Sequence, residues 1–153
     1  DFKDYNMRAG KGFTYRYYNG DALYPFGHGL SYTKFKYSDF QIDKIKLSSA
    51  DTFTVSVRVL NNGNLDGEEV VQLYIKDVKS DKWMAKKQLR KFERIKLKKG
   101  ESKTIKFNLE ARKDLRYYDA MYRKYMVEPG SFEIQIGASS EDIRLKQIIS
   151  IEE

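Results

Sequence analysis

Side chains able to do chemistry are few and scattered. The candidate carboxylates are Asp66, Glu68, Glu69, Asp77, Glu101, Asp119, Glu141 and Asp142. Acid–base or nucleophilic work by carboxylates needs a pair whose environments push their pKa values apart. Most of these eight fall in turns or on outward faces, where carboxylates are turn formers, and the sequence singles out no pair. His28 is the only histidine, held between Gly27 and Gly29. Ser31 stands near enough to suggest a Ser-His-Asp arrangement, yet no nucleophile-elbow pattern surrounds it. One histidine without cysteines supplies too few ligands for a metal, so His28 is expected to be a hydrogen-bonding loop residue. Gly10-Lys11-Gly12 lacks the strand and helix that a phosphate cradle requires. No catalytic residue, no cofactor site and no metal site is therefore expected. Trp83, the only tryptophan, lies in Lys79-Ser80-Asp81-Lys82-Trp83-Met84. Its ring is the candidate sugar contact, with two competing roles: capping one end of the core, or touching a neighbouring domain.

Charge is the next lever. The formal net charge is +7, with 33% of residues charged and 41% hydrophobic, as in an ordinary soluble globular domain. Solubility accounts for that charge; a polyanion partner is the sharper alternative. Between Lys82 and Lys106 the basic residues Lys86, Lys87, Arg90, Lys91, Arg94, Lys96, Lys98, Lys99 and Lys103 face only Glu93 and Glu101. Lysine on a strand near a sheet edge blocks edge-to-edge pairing, and that reading is preferred to anion binding. No basic helix suits the major groove, so no nucleic-acid partner is expected. No stretch resembles a transmembrane span or signal peptide, and no membrane partner is expected. The absence of cysteine excludes a disulfide framework. The opening Asp-Phe-Lys-Asp-Tyr, without Met, reads as the middle of a longer protein.

The elements that would position these residues are strands. Phe53, Val55, Val57 and Val59 alternate with polar residues, as do Val71, Leu73 and Ile75. Ile105, Phe107 and Leu109 form a third such row, and Phe132, Ile134 and Ile136 a fourth. A period of two places one face inward and one outward. Turn signals separate the rows at Asn61-Asn62-Gly63-Asn64, Asp66-Gly67, Lys99-Gly100-Glu101, Glu128-Pro129-Gly130 and Gly137-Ala138-Ser139-Ser140. Weaker strands are expected over Phe35 to Ile42, Gln88 to Leu97, Tyr122 to Val127 and Ile143 to Ile151. The spacing of Leu89, Phe92, Ile95 and Leu97 breaks alternation and predicts a β-bulge near Glu93-Arg94. Lys113 to Asp119 is expected to form a short helical turn. The fold class is all-β: an immunoglobulin-like or fibronectin type III-like antiparallel β-sandwich of about seven strands. Asp1 to Tyr32 differs, being irregular and rich in aromatic residues and glycine.

Several motifs together resemble the last domain of family 3 glycoside hydrolases. They begin with Tyr15-Arg16-Tyr17-Tyr18 and Leu23-Tyr24-Pro25-Phe26-Gly27-His28-Gly29-Leu30-Ser31-Tyr32-Thr33. Gly67-Glu68-Glu69-Val70-Val71-Gln72-Leu73-Tyr74-Ile75-Lys76-Asp77 continues them, and Glu128-Pro129-Gly130-Ser131-Phe132-Glu133-Ile134 nearly completes the chain. Ala85 and Lys99 stand where many relatives have proline, and Lys91 where many have glycine. These departures bear on loop stiffness and the bulge rather than on the fold. The resemblance implies exo-acting β-glucosidases and β-xylosidases. Their nucleophilic Asp lies in an N-terminal barrel and their acid/base usually in the following α/β domain, so no catalytic residue carries over to this chain. The opening residues Asp4-Tyr5-Asn6-Met7 look more like the xylosidase-type branch.

On this reading residues 33–153 are the sandwich, and residues 1–32 are a connector and the tail of a preceding domain. Tyr15, Tyr17, Tyr18, Tyr24, Phe26, His28 and Tyr32 are the candidate domain-interface residues. The expected partners are catalytic domains of the same parent chain, with the sandwich as a structural buttress. Two alternatives stand beside it: a carbohydrate-binding module that engages an oligosaccharide or polysaccharide through Trp83 and exposed tyrosines, and a polyanion-binding domain using the 82–106 stretch. Periplasmic or secreted placement follows from the family resemblance alone.

Overall fold

A computed structural model describes residues 6–8, 11–78 and 85–152 of the chain. In chain order the elements are α1 (Thr14–Tyr17), β1 (Phe35–Ile42), β2 (Lys46–Leu47), β3 (Thr52–Asn61), β4 (Gly67–Asp77) and β5 (Gln88–Leu97). β6 (Ser102–Glu110), α2 (Ala111–Asp114), β7 (Tyr117–Asp119), β8 (Lys124–Met126), β9 (Gly130–Gly137) and β10 (Ile143–Ile151) follow. One sheet has the order β1-β3-β6, the other β2-β10-β9-β4-β5, and β7-β8 is a separate hairpin. The seven long strands form the sandwich.

All four alternating rows point inward. Val55, Val57, Val59, Val71, Leu73, Ile134 and Ile136 are fully enclosed, with Phe53, Ile105, Phe107 and Leu109 closing the cluster from β3 and β6. Each such side chain contributes roughly 1.5–3 kcal/mol on burial, so the chain carries a complete core of its own. Asn61 ties the end of β3 down. Its side chain accepts from Thr33 Oγ1 at 2.6 Å and donates to the carbonyls of Leu65 at 2.8 Å and Leu97 at 3.1 Å.

Four local expectations need correction. The bulge in β5 falls at Arg90, not at Glu93-Arg94. Leu73 pairs with Lys91 and Tyr74 with Leu89, so Arg90 is the extra residue. From Lys91 onward β5 alternates strictly, and Phe92 points out of the core. The helical turn spans Ala111–Asp114, and Tyr117–Asp119 pairs as β7 with β8. The strand expected over Tyr122 to Val127 shrinks to Lys124–Met126, because Asp119 accepts the Met121 and Tyr122 amides and closes the turn there. Finally, β2 pairs with β10 in parallel, so the larger sheet is not wholly antiparallel.

Candidate functional site

The predicted chemical residues are dispersed and engaged in holding loops. Asp66 accepts the Lys99 amide at 2.9 Å and Glu101 the Lys98 amide at 2.8 Å. Glu68 bonds Arg94, and Asp142 pairs with Arg144 at 2.9 Å. Glu141 lies 3.7 Å from Lys87. His28 is exposed, its ring 5.5 Å from that of Tyr24. Among the described residues no group of three His, Asp or Glu side chains is placed to hold a metal. Trp83 lies outside the described residues.

One carboxylate has a distinct environment. Glu69 accepts the Tyr37 hydroxyl at 2.8 Å and sits 3.8 Å from Arg144, whose guanidinium lies 4.6 Å from the Tyr37 ring centroid. Burial pushes the Glu69 carboxyl above its ordinary value, outweighing the Tyr37 hydrogen bond and the Arg144 charge. Burial, followed by the Glu69 charge, raises the Tyr37 phenol as well. This cluster fastens β1, β4 and β10 together.

What organises the surface is the N-terminal segment lying on the outer face of β4 and β5. The Tyr15 ring stacks on Phe26 at 4.1 Å and meets Tyr74 edge-on at 6.1 Å. Its hydroxyl accepts the Leu89 amide at 3.0 Å. Gln72 Nε2 donates to the carbonyls of Gly27 at 3.1 Å and Ala138 at 2.6 Å, while its Oε1 accepts the Tyr74 hydroxyl at 2.5 Å. The Ser140 amide donates to the Phe26 carbonyl at 2.9 Å, and the Lys86 amide to that of Arg16 at 2.8 Å. Gly27 adopts φ +78°, and a Cβ there would fall on Gln72 Oε1. The outward residues Gln72 and Tyr74, which alternation assigns to solvent, are thus buried under this segment.

The predicted interface aromatics divide into two sets. Tyr15 is spent on the chain's own sheet, and Tyr17 and Tyr18 are half-buried, Tyr17 beside the guanidinium of Arg8 at 5.4 Å. Tyr24 and Tyr32 face outward, 70% and 98% exposed, joined by Leu23 and Leu30 at 89% and 92%. Phe26 is partly available at 45%. A groove of about 510 Å³ runs between Phe26, His28, Leu30, Val70, Leu89 and Phe92, with Glu68 and Arg94 on its rim. Sequence reasoning misses Leu23 and Leu30, since a single exposed apolar residue in a loop carries no periodic signal, and it misses Phe92 because the bulge is placed after that residue instead of before it. The shift at Arg90 is what turns Leu89 and Phe92 to the same side.

A fibronectin type III-like domain model matches residues 69–140. The thermostable β-glucosidase B of Acetivibrio thermocellus is 47% identical over 140 residues, 90% of this chain and 18% of that protein. A β-xylosidase of Formosa agariphila is 43% identical over 92% of this chain and 19% of its own length. The chain belongs to the fibronectin type III-like domains of glycoside hydrolase family 3. Solved structures agree: a β-glucosidase from Erythrobacter marinus superposes with TM-score 0.80 at 36% identity, covering 92% of this chain and 18% of that one. The β-D-glucoside glucohydrolase of Trichoderma reesei gives 0.75 at 40%, covering 84% and 20%. This family 3 domain thus spans about a fifth of the length of the relatives it matches.

Proposed function

We propose that this chain is the non-catalytic C-terminal domain of a family 3 glycoside hydrolase, stabilising the catalytic domains and shaping the rim of their cleft. The parent enzyme would remove terminal β-linked glucose or xylose from oligosaccharides, as the names of its relatives suggest. One observation carries the reading: Leu23, Tyr24, Leu30 and Tyr32 are all left exposed within one short segment that is bonded to the sheet through Phe26 and Gly27. A concentration of exposed large apolar side chains marks an interface. Residues 1–32 then serve as the connector, with Tyr15 and Phe26 gripping the sandwich and the exposed set meeting the preceding domain. The direct test compares the parent enzyme with and without residues 33–153 by thermal melting and aryl-glycoside hydrolysis. Loss of stability and activity is expected; an unchanged truncated enzyme would defeat the buttress.

A second reading, carbohydrate binding, draws on the β7-β8 hairpin. Tyr118, Tyr122 and Tyr125 are each more than half exposed there, and Tyr118 and Tyr125 are cross-strand partners with rings 5.4 Å apart. Aromatic faces of this kind suit stacking against apolar ring surfaces. Saturable binding of xylan or cello-oligosaccharides, lost in Tyr122→Ala, would move the balance to this reading.

A further inference from the structure

Asparagine directly precedes glycine at Asn19-Gly20, in the N-terminal segment, and at Asn62-Gly63, in the turn after β3. Such a pair can react with itself, because glycine has no Cβ to keep its nitrogen away from the asparagine side chain. Packing calls for glycine at both places. A Cβ on Gly20 would fall on the Tyr18 hydroxyl, and one on Gly63 would fall on Thr33 Oγ1. Both asparagines are exposed. What differs is the glycine nitrogen. The Gly63 amide donates to Asn61 Oδ1 at 3.1 Å, and Asn61 is fully buried and bonded to Thr33, Leu65 and Leu97. The Asn62 amide donates to the Lys34 carbonyl at 2.9 Å, so the backbone is held on both sides of the Asn62 side chain. At the other pair the hold is one-sided. The Asn19 amide donates to the Lys11 carbonyl at 2.7 Å, and the Tyr18 carbonyl accepts from Lys86 Nζ at 2.6 Å. Among the described residues the Gly20 amide donates to no acceptor.

We propose that Asn19 is a site of spontaneous deamidation, and that Asn62, with the same following residue, is protected by the fold. The Gly20 nitrogen gives up its proton to hydroxide or water and attacks the carbonyl carbon of the Asn19 side chain. A nitrogen–carbon bond forms and closes a succinimide ring; the bond from that carbon to the side-chain nitrogen breaks, and ammonia leaves. Water then opens the ring. Opening at the side-chain carbonyl leaves aspartate, and opening at the main-chain carbonyl leaves isoaspartate, in which the backbone runs through the former side chain. The sum is an amide plus water giving an acid plus ammonia, with no oxidant or reductant. The attack requires the Gly20 peptide to rotate toward the side chain, and that rotation breaks no bond among the described residues. The same rotation at Gly63 breaks its bond to Asn61 and disturbs a buried tie, enough to slow the reaction about tenfold. Either product places a new negative charge next to Gly20 and Asp21, which line a pocket with Tyr18, Tyr24 and Glu141. Isoaspartate also lengthens the backbone between Tyr18, held by Lys86, and Phe26, stacked on Tyr15.

The experiment incubates the 153-residue chain in mildly alkaline buffer below its Tm and scores its proteolytic peptides by mass spectrometry for conversion of amide to acid. Conversion at Asn19 about tenfold faster than at Asn62 is expected in the folded chain, with the two rates converging in urea, where neither backbone is held. Asn62 keeping pace with Asn19 in the folded chain overturns the proposal. So does Asn19 staying intact in the folded chain while converting in urea, and so does a difference that urea leaves unchanged. Fragmentation that separates isoaspartate from aspartate should find both at position 19; aspartate alone means direct hydrolysis and overturns the succinimide route. Asn19→Gln keeps an exposed amide whose longer side chain closes a larger, slower ring. It should abolish the acidic species that ion exchange resolves from the aged wild-type chain, and its appearance at the wild-type rate overturns the assignment to Asn19.

Discussion

Replacing Gln72 by Ala tests the link between the N-terminal segment and the sandwich. Gln72 is 3% exposed and makes three side-chain hydrogen bonds, to Gly27 O, Ala138 O and the Tyr74 hydroxyl. A buried hydrogen bond contributes about 1 kcal/mol net, and orphaning a buried partner costs more. Tyr74 is 0% exposed, so its hydroxyl has no water to turn to. The three bonds together set a cost of about 3 kcal/mol, which for a chain of this length lowers Tm by roughly 6–12 °C. The loss is also local. The Ser140 amide, which bonds the Phe26 carbonyl, should exchange with deuterium faster once Gly27 is released. Gln72→Glu is the companion variant. It keeps an acceptor for Tyr74 but turns the donors into acceptors facing two carbonyls, so it should be no better than Ala. Thermal melting with hydrogen exchange at residues 26–28 and 140 checks both. A Gln72→Ala protein melting within about 2 °C of wild type, with exchange unchanged at those amides, would refute the idea that Gln72 anchors the segment.

Four other outcomes follow from the same structure. Gly27→Ala should destabilise the chain by about 1–3 kcal/mol, because φ is +78° and the new methyl meets Gln72; denaturant unfolding checks this, and Gly29→Ala, with open space around it, is the control. Glu69→Gln should remove one pH-dependent contribution to stability: the raised Glu69 pKa means the folded state favours the protonated acid, so this residue's contribution is fully present below the ordinary glutamate value and is lost as pH rises through the raised one, which appears as a wild-type-minus-variant Tm difference that falls with rising pH. Ile134→Ala should cost about 2–5 kcal/mol by opening a cavity where the side chain is fully enclosed, as read by urea unfolding. Leu30→Asp, at a residue 92% exposed, should stay within about 0.5 kcal/mol in this chain yet lower the Tm of the parent enzyme, where that face is proposed to be covered.

The core was legible in the sequence because a strand's period of two is also the period of its burial. Val55, Val57 and Val59 could be assigned inward from spacing alone, and they are enclosed. The same rule gave the wrong answer for Gln72 and Tyr74. It assigns them to water, but a second layer from far away in the chain lies over them. That layer has no period; it is held by individual bonds such as Tyr15 to the Leu89 amide, across more than seventy residues. The irregular spacing in β5 signals a bulge but puts it too far along the strand. A bulge at Glu93-Arg94 would bring Phe92 onto the same face as Ile95 and Leu97. The structure leaves Phe92 outside, puts the extra residue at Arg90, and lets Ile95 and Leu97 point inward without further adjustment.

That single displaced residue connects the fold to the proposed role. Strict pairing without an extra residue at 90 would move Leu89 to the opposite face of the sheet, because a slip of one residue exchanges the two faces. Leu89 would leave the groove it shares with Phe92 and Phe26, and Tyr15 would lose the geometry that lets it accept the Leu89 amide. The bulge therefore does two things at once. It sets Leu89 beside Phe92 on the groove whose other wall is the N-terminal segment, and it places Arg90 outside the regular ladder, where its Nη2 donates to the Arg116 carbonyl at 3.2 Å. Both tie the edge strand to the rest of the chain, through the Leu89 amide on the Tyr15 hydroxyl and the Arg90 guanidinium on the Arg116 carbonyl. Leu30, 92% exposed on the same groove, is what a covering protein surface would add to that buried set.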